Sequence, residues 1–114
     1  DTLIGGLGTD VIYGGDDNDV IAGSQNDDEI YGGDGDDTIE GGTGADTITG
    51  GLGADTIDGG TDADTINAGG GNDTIDGGTG NDTINDDTDT ELVVTNNFDR
   101  ITIISNGANV WYIV

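Results

Sequence analysis

The chain has 114 residues, and its 25 acidic residues against a single basic one, Arg100, give it a net charge of −24 at neutral pH. One arginine cannot form a basic patch, so nucleic acid and anionic membrane surfaces are excluded as partners. Cys and His are both absent, which excludes typical zinc and copper sites and leaves oxygen ligands, the donors that suit hard cations. No apolar run approaches the ~18 residues of a membrane span, so we expect no membrane insertion by this segment.

The chain opens inside a repeat, because Asp1 to Ile4 matches positions six to nine of the nine-residue phrase that follows. We therefore expect an upstream part. From Gly5 to Asn85 the phrase occurs nine times without insertion. Position six is always aspartate: Asp10, Asp19, Asp28, Asp37, Asp46, Asp55, Asp64, Asp73 and Asp82. Position eight is always isoleucine: Ile12, Ile21, Ile30, Ile39, Ile48, Ile57, Ile66, Ile75 and Ile84.

The residues at position four indicate a left-handed backbone there. Six units have glycine at this position and the others have Asp17, Asn26 or Asp62, the residue types that best tolerate positive φ after glycine. The first six residues of each unit are therefore predicted to form a turn. The last three, typically Thr-Ile-x, are predicted to form a short strand with its isoleucine pointing inward.

Strands of about three residues must pair with equivalent strands to be stable. If two units make one coil, the isoleucines of opposite faces meet in a thin core, and neighbours on one face are two units apart in the sequence. This arrangement predicts a threonine ladder, an acidic ladder that destabilises through like charges, and one tyrosine over another. The ladders are Thr38, Thr56 and Thr74; Glu40, Asp58 and Asp76; and Tyr13 over Tyr31.

After Asn85 the phrase decays, which divides the chain into repeats (1–85) and a capping segment (86–114). The stretch 86–94 keeps the spacing loosely, with Glu91 at the Asp position and Val93 at the Ile position. Two apolar stretches, 100–105 and 108–114, flank Asn106-Gly107, a dipeptide favoured in hairpin turns. We predict a β-hairpin-like cap, which is consistent with the aromatic residues found there, Phe98, Trp111 and Tyr112.

Calcium is the cation that this pattern favours, because it takes six to eight oxygen ligands from carboxylates and backbone carbonyls. Stacked loops place position-six carboxylates one coil apart, so an ion between two loops takes an Asp from each. Nine loops divide as five and four between the two edges, which predicts about seven interior ions. Asp1 with Asp19 adds a further site. About seven ions would reduce the net charge to about −10, so binding and folding are expected to be one event.

Five units, GGLGTDVIY, GGDGDDTIE, GGTGADTIT, GGLGADTID and GGTGNDTIN, resemble the GGxGxDxUx nonapeptide of the RTX (repeats-in-toxin) family. The resemblance implies an all-β, right-handed parallel β-roll with the nine position-six aspartates as side-chain ligands. It also implies carbonyl ligands from the loops, including Gly5, Gly6, Gly8, Gly14, Gly32, Gly33, Gly35, Gly41, Gly42, Gly44, Gly50, Gly51, Gly53, Gly59, Gly77, Gly78 and Gly80. Bacterial type I secretion, folding in extracellular calcium and a secreted or cell-surface location are implied as well.

The same residues also bear on three other interpretations. Without calcium, a disordered acidic tract is expected. No nucleophile, His or Lys accompanies the carboxylates, so we expect no enzyme. The threonine row Thr43, Thr61 and Thr79 is of the kind seen in ice-binding RTX modules but lacks a matching asparagine row.

The larger role has three alternatives: a module of a secreted toxin or enzyme, a self-associating fibre, adhesin or surface layer, and a phage fibre or spike at the virion surface. The segment 110–114 is similar to an RTX secretion tail, and ITIISNGANVWYIV is similar to the closing strands of phage fibres. Upstream domains of the same chain or self-association would distinguish these roles.

Overall fold

The computed structural model describes residues 1–86, 93–96 and 101–105, and all regular secondary structure in that part is β-strand. The strands are β1 (Thr2–Leu7), β2 (Val11–Asp16), β3 (Val20–Gln25), β4 (Glu29–Asp34), β5 (Thr38–Thr43), β6 (Thr47–Leu52), β7 (Thr56–Thr61), β8 (Thr65–Gly70), β9 (Thr74–Gly78), β10 (Asp82–Asp86), β11 (Val93–Asn96) and β12 (Ile101–Ser105).

The strands form two six-stranded parallel sheets, with the odd-numbered strands in one and the even-numbered strands in the other. The order is β1-β3-β5-β7-β9-β11 in the first sheet and β12-β10-β8-β6-β4-β2 in the second. Paired residues in the repeats lie two units apart in the sequence, as in Ile39 with Ile57. Two units therefore make one coil, and the predicted parallel β-roll is confirmed.

The core consists of the position-eight isoleucines from both sheets. All nine are buried, and all but Ile12, at 7% exposed, are at most 1% exposed. Ala68, at position one of its unit, is also fully buried. Since side chains alternate along a strand, positions seven and nine face outward, where threonines and acidic residues predominate. The core is thus two isoleucine side chains thick, as predicted.

The strands are longer than the sequence predicted. Each of β1 to β8 has six residues, the last three of one unit and the first three of the next, and the turns between them are limited to positions four to six. The ladder continues through the glycines, as shown by the pairing of Gly42 with Gly60 and of Thr43 with Thr61. The prediction of a six-residue turn was wrong because glycine here permits close stacking of extended backbone: a methyl group at Gly51 would lie 2.0 Å from the carbonyl oxygen of Gly33.

Position four has positive φ in every unit, as predicted, including Asp17 (74°), Asn26 (74°) and Asp62 (84°). Position two also has positive φ throughout, and Ser24 adopts 91° there. The predominance of glycine did not by itself reveal this second left-handed position. Each unit thus contains two backbone positions that side chains disfavour.

The predicted ladders are confirmed by the strand register. Thr38, Thr56 and Thr74 are paired in sequence, and the rings of Tyr13 and Tyr31 stack with centroids 4.9 Å apart and planes 5° from parallel. The acidic ladder is costly, as expected: burial raises the pKa of Asp58, and the carboxylates of Asp76 and Glu40 raise it further.

The parallel sheets continue past Asn85 with a changed register. β11 pairs with β9 so that Val94 lies beside Ile75, and β12 pairs with β10 so that Ile103 lies beside Ile84. The placement of Val93 at the isoleucine position was therefore wrong, because the step between paired strands is longer here than in the repeats and Val94 takes that position instead.

Other expectations for the tail fall on residues outside the described part. These are Glu91 at the Asp position, the hairpin turn at Asn106-Gly107 with its second arm, the aromatic cap residues, Arg100 and the secretion-tail segment. The first arm of the predicted hairpin contains β12, which extends the second sheet.

Candidate metal centre

The position-six aspartates form two buried rows, one along each edge of the roll. Each residue ends the loop of positions four to six that connects the two sheets. Eight of the nine are 1–3% exposed and Asp10 is half-buried. One edge carries Asp10, Asp28, Asp46, Asp64 and Asp82, and the other carries Asp19, Asp37, Asp55 and Asp73, the predicted division into five and four. We call the space between two loops that are one coil apart on the same edge a junction.

In seven of the nine aspartates, one carboxylate oxygen accepts a hydrogen bond from a backbone N–H of the preceding coil. The backbone N–H of Asp28 donates to Oδ1 of Asp46 at 2.8 Å, and the N–H of Asp37 donates to Oδ1 of Asp55 at 2.9 Å. The same bond recurs at Asp28, Asp37, Asp64, Asp73 and Asp82 with distances of 2.8 to 3.1 Å. This contact orients the carboxylates, and sequence reasoning did not anticipate it.

The second oxygen, Oδ2, is buried without a protein donor in seven of the position-six aspartates. They are Asp10, Asp19, Asp28, Asp37, Asp46, Asp55 and Asp64. An unsatisfied buried carboxylate oxygen is destabilising, because it has lost its water without gaining a hydrogen bond. Each such Oδ2 therefore requires a proton or a cation.

The surroundings of Oδ2 are rich in oxygen. A methyl group at Gly41 would lie 2.6 Å from Oδ2 of Asp46 and 2.5 Å from the carbonyl oxygen of Gly59. Equivalent oxygens flank Gly14, Gly23, Gly32, Gly50 and Gly59: Oδ2 of the position-six aspartate in the same unit and the position-one carbonyl oxygen of the next coil. Carboxylate and carbonyl oxygens facing one another are the donor set of a calcium site. Among the described residues no group of three acidic side chains converges, which agrees with one aspartate per loop supplemented by carbonyls.

The predicted carbonyl ligands separate into two groups. Position-one carbonyls, such as those of Gly32, Gly50 and Gly59, lie near the Oδ2 atoms. Carbonyls at positions two and four lie instead against the backbone of the next coil, as Gly35 does below Gly53. The carboxylate of Asp1 lies away from the buried Oδ2 atoms, since this side chain is 91% exposed. The amino group of Asp1, and not its carboxylate, contacts Oδ1 of Asp19, at 2.5 Å.

Burial raises the pKa of Asp37, Asp46, Asp55 and Asp64. It brings that of Asp64 to about 7 and that of Asp55 to about 6, the N–H bond to Oδ1 offsetting part of the effect. The neighbouring carboxylates of each row add to the increase, and the pKa values of Asp37 and Asp46 are raised for the same reasons. A cation at the junction would reverse these shifts, because it favours the ionised form.

Comparison with known families gives one match: the RTX calcium-binding nonapeptide repeat matches four times, at residues 1–30, 23–57, 31–66 and 49–84. No curated protein and no solved structure matches the chain. The part of the chain that the structure describes contains no helix long and apolar enough to cross a membrane.

Proposed function

The chain belongs to the RTX calcium-binding nonapeptide repeat family, and on that basis we propose that its ions bind at the junctions, with the position-six aspartates as ligands. The observation that carries this proposal is the row of buried Oδ2 atoms without a protein donor. Each aspartate within a row lies between two loops of the same edge, one coil before it and one coil after it. Every ion would then share aspartates from two loops and would tie consecutive coils together.

The proposed stoichiometry follows from the two rows. Five loops along one edge enclose four junctions and four loops along the other enclose three, so the roll would hold about seven ions. Their charge would offset about 14 of the negative charges of a chain whose net charge is −24. Because the ligands are assembled only in the folded chain, the free energy of binding contributes directly to folding.

We further propose that the protein is a non-enzymatic module of a secreted bacterial protein and forms a stiff, acidic domain outside the cell. Coupling of folding to calcium supports this, since such a chain stays unfolded where calcium is scarce and folds where it is abundant. Export through a type I secretion system is part of the proposal. The position-six carboxylates all have a place in the repeat, so none is left to require a catalytic role.

Replacing Asp46 by alanine tests the shared-ligand arrangement. Asp46 borders the junctions with Asp28 and with Asp64, so Asp46→Ala should lower the number of tightly bound calcium ions by about two. The count would be measured by equilibrium dialysis or titration calorimetry at neutral pH. Asp16→Ala, which removes an exposed carboxylate, is the matched control and should bind as the wild type does. An unchanged count and affinity in Asp46→Ala would rule out ligands shared between loops one coil apart.

A second role, as a self-associating fibre or surface-layer repeat, is favoured by the first coil. Among the side chains that the structure describes, six large apolar ones are exposed, and four of them lie there: Ile4, Leu7, Val11 and Tyr13. Exposed apolar side chains that lie together favour association with a second copy.

Two leucines at position three of the repeat allow a matched test of self-association. Leu7 lies in the first coil and is 78% exposed, whereas Leu52 lies at the end of β6, midway along the stack of coils, and is 61% exposed. In saturating calcium we expect the mass of the wild type, measured by light scattering, to rise with protein concentration. Leu7→Asp should remain monomeric, whereas Leu52→Asp should associate as the wild type does. A wild type that is monomeric at every concentration would exclude this role.

A further inference from the structure

At position five of the repeat, where the residue type varies between units, some side chains contact the loop one coil further on. Oδ1 of Asn18 accepts the backbone N–H of Asp36 at 3.0 Å. Oδ1 of Asp27 accepts the N–H of Ala45 at 2.9 Å, and Oδ1 of Asp36 accepts the N–H of Ala54 at 2.8 Å. In each case a side chain at position five reaches forward to position five of the next coil.

This forward bond complements the backward bond made by position six. At one junction Oδ1 of Asp36 accepts the N–H of Ala54, while Oδ1 of Asp55 accepts the N–H of Asp37 at 2.9 Å. The two loops are thus joined in both directions, which holds the oxygens that line the junction at a defined separation. We refer to the forward bond as the latch.

The latch is confined to part of the roll because of the residues at position five. Ala45, Ala54 and Ala63 occupy it in three consecutive units, and an alanine side chain has no acceptor atom. At the junctions that follow these residues, Asp46 with Asp64, Asp55 with Asp73 and Asp64 with Asp82, position six makes the backward bond and position five has no side-chain acceptor for a latch. The junctions that follow Asn18, Asp27 and Asp36 have both bonds.

We propose that the position-five side chain is a positioning residue that sets the calcium affinity of the junction after it, high at Asn18, Asp27 and Asp36 and lower after the three alanines. This inference rests on the junction sites proposed above. Calcium requires its oxygens at about 2.3–2.6 Å, so loops already held together lose less freedom when the ion binds. A hydrogen bond to a carboxylate in this setting corresponds to a roughly tenfold change in affinity.

The test measures calcium release from the folded wild-type chain and its variants after rapid mixing with a chromophoric chelator. Asp36→Ala removes the latch at the junction of Asp37 with Asp55 and should accelerate release of about one ion roughly tenfold, leaving the other phases unchanged. Asp36→Asn keeps the Oδ1 acceptor and should behave as the wild type. Ala45→Asn supplies an acceptor to the junction of Asp46 with Asp64 and should slow one phase by a similar factor.

The control is Asp34→Ala, which removes an exposed carboxylate from the same unit at position three and should leave every phase unchanged. Equal effects of Asp36→Asn and Asp36→Ala would show that charge, and not the hydrogen bond, is responsible. A uniform acceleration of all phases would indicate a general loss of stability, and an unchanged Asp36→Ala would also overturn the latch. A wild type that releases no calcium would instead contradict the junction sites themselves.

Discussion

At pH 3, without calcium, we expect the chain to form its β-roll, and we expect the roll to be lost as the pH rises through 6 to 7. The physical reason is that the Oδ2 atoms of seven position-six aspartates, Asp10 to Asp64, are buried without a protein donor. Each of these atoms needs a cation or a proton, and a proton can satisfy it when calcium is absent. Circular dichroism of the chelated protein between pH 3 and pH 8 would measure the transition.

The direction follows from the raised pKa values. In the folded chain the pKa of Asp64 is about 7 and that of Asp55 about 6, against an ordinary value of 3.8. A carboxyl group whose pKa is raised by folding stabilises the fold fully below its unfolded pKa, near 4, and loses that contribution as the pH passes its folded pKa. The calcium-free roll should therefore weaken between about pH 4 and pH 7.

A matched variant isolates the contribution of one carboxyl group. Asp64→Asn resembles the protonated side chain and keeps an oxygen for the N–H of Asp46, so its calcium-free transition should lie at higher pH than that of the wild type. Asp16→Asn, which changes an exposed carboxylate at the end of β2, should leave the transition close to that of the wild type. A chelated wild type that is disordered at pH 3, or equally folded from pH 3 to pH 8, would contradict this explanation.

Much of the architecture could be predicted because few arrangements satisfy the repeat. Isoleucine at position eight of every unit can be buried only against other units, and short parallel strands can pair only one coil apart. The two-unit register and the stack of Tyr13 on Tyr31 both follow from these two facts.

Other features depend on atomic contacts that residue types do not reveal. Glycine was assigned to turns on its general preference, whereas the glycine at position one lies in a strand because its missing side chain admits Oδ2 of the aspartate at position six of the same unit. The register of the tail could not be resolved because Val93 and Val94 are adjacent and chemically identical. The latch at Asp36 was missed because its partner is a backbone N–H, which no residue type indicates.

At neutral pH the folding of the roll should depend on calcium. Eight aspartates are 1–3% exposed in the roll, and they cannot all be ionised there without counter-charges. Removal of calcium at pH 7.5 should therefore unfold the repeats, and its return should restore them. Magnesium should substitute poorly, because it binds at shorter distances and is reluctant to exchange its water for protein oxygens.

The most direct measurement is the far-ultraviolet circular dichroism of one sample at pH 7.5, first with a chelator and then with excess calcium. We predict the spectrum of a disordered chain in the chelator and a β-sheet spectrum after calcium is added, with magnesium at the same concentration producing little change. A β-sheet spectrum that is the same with the chelator and with calcium would contradict calcium-coupled folding.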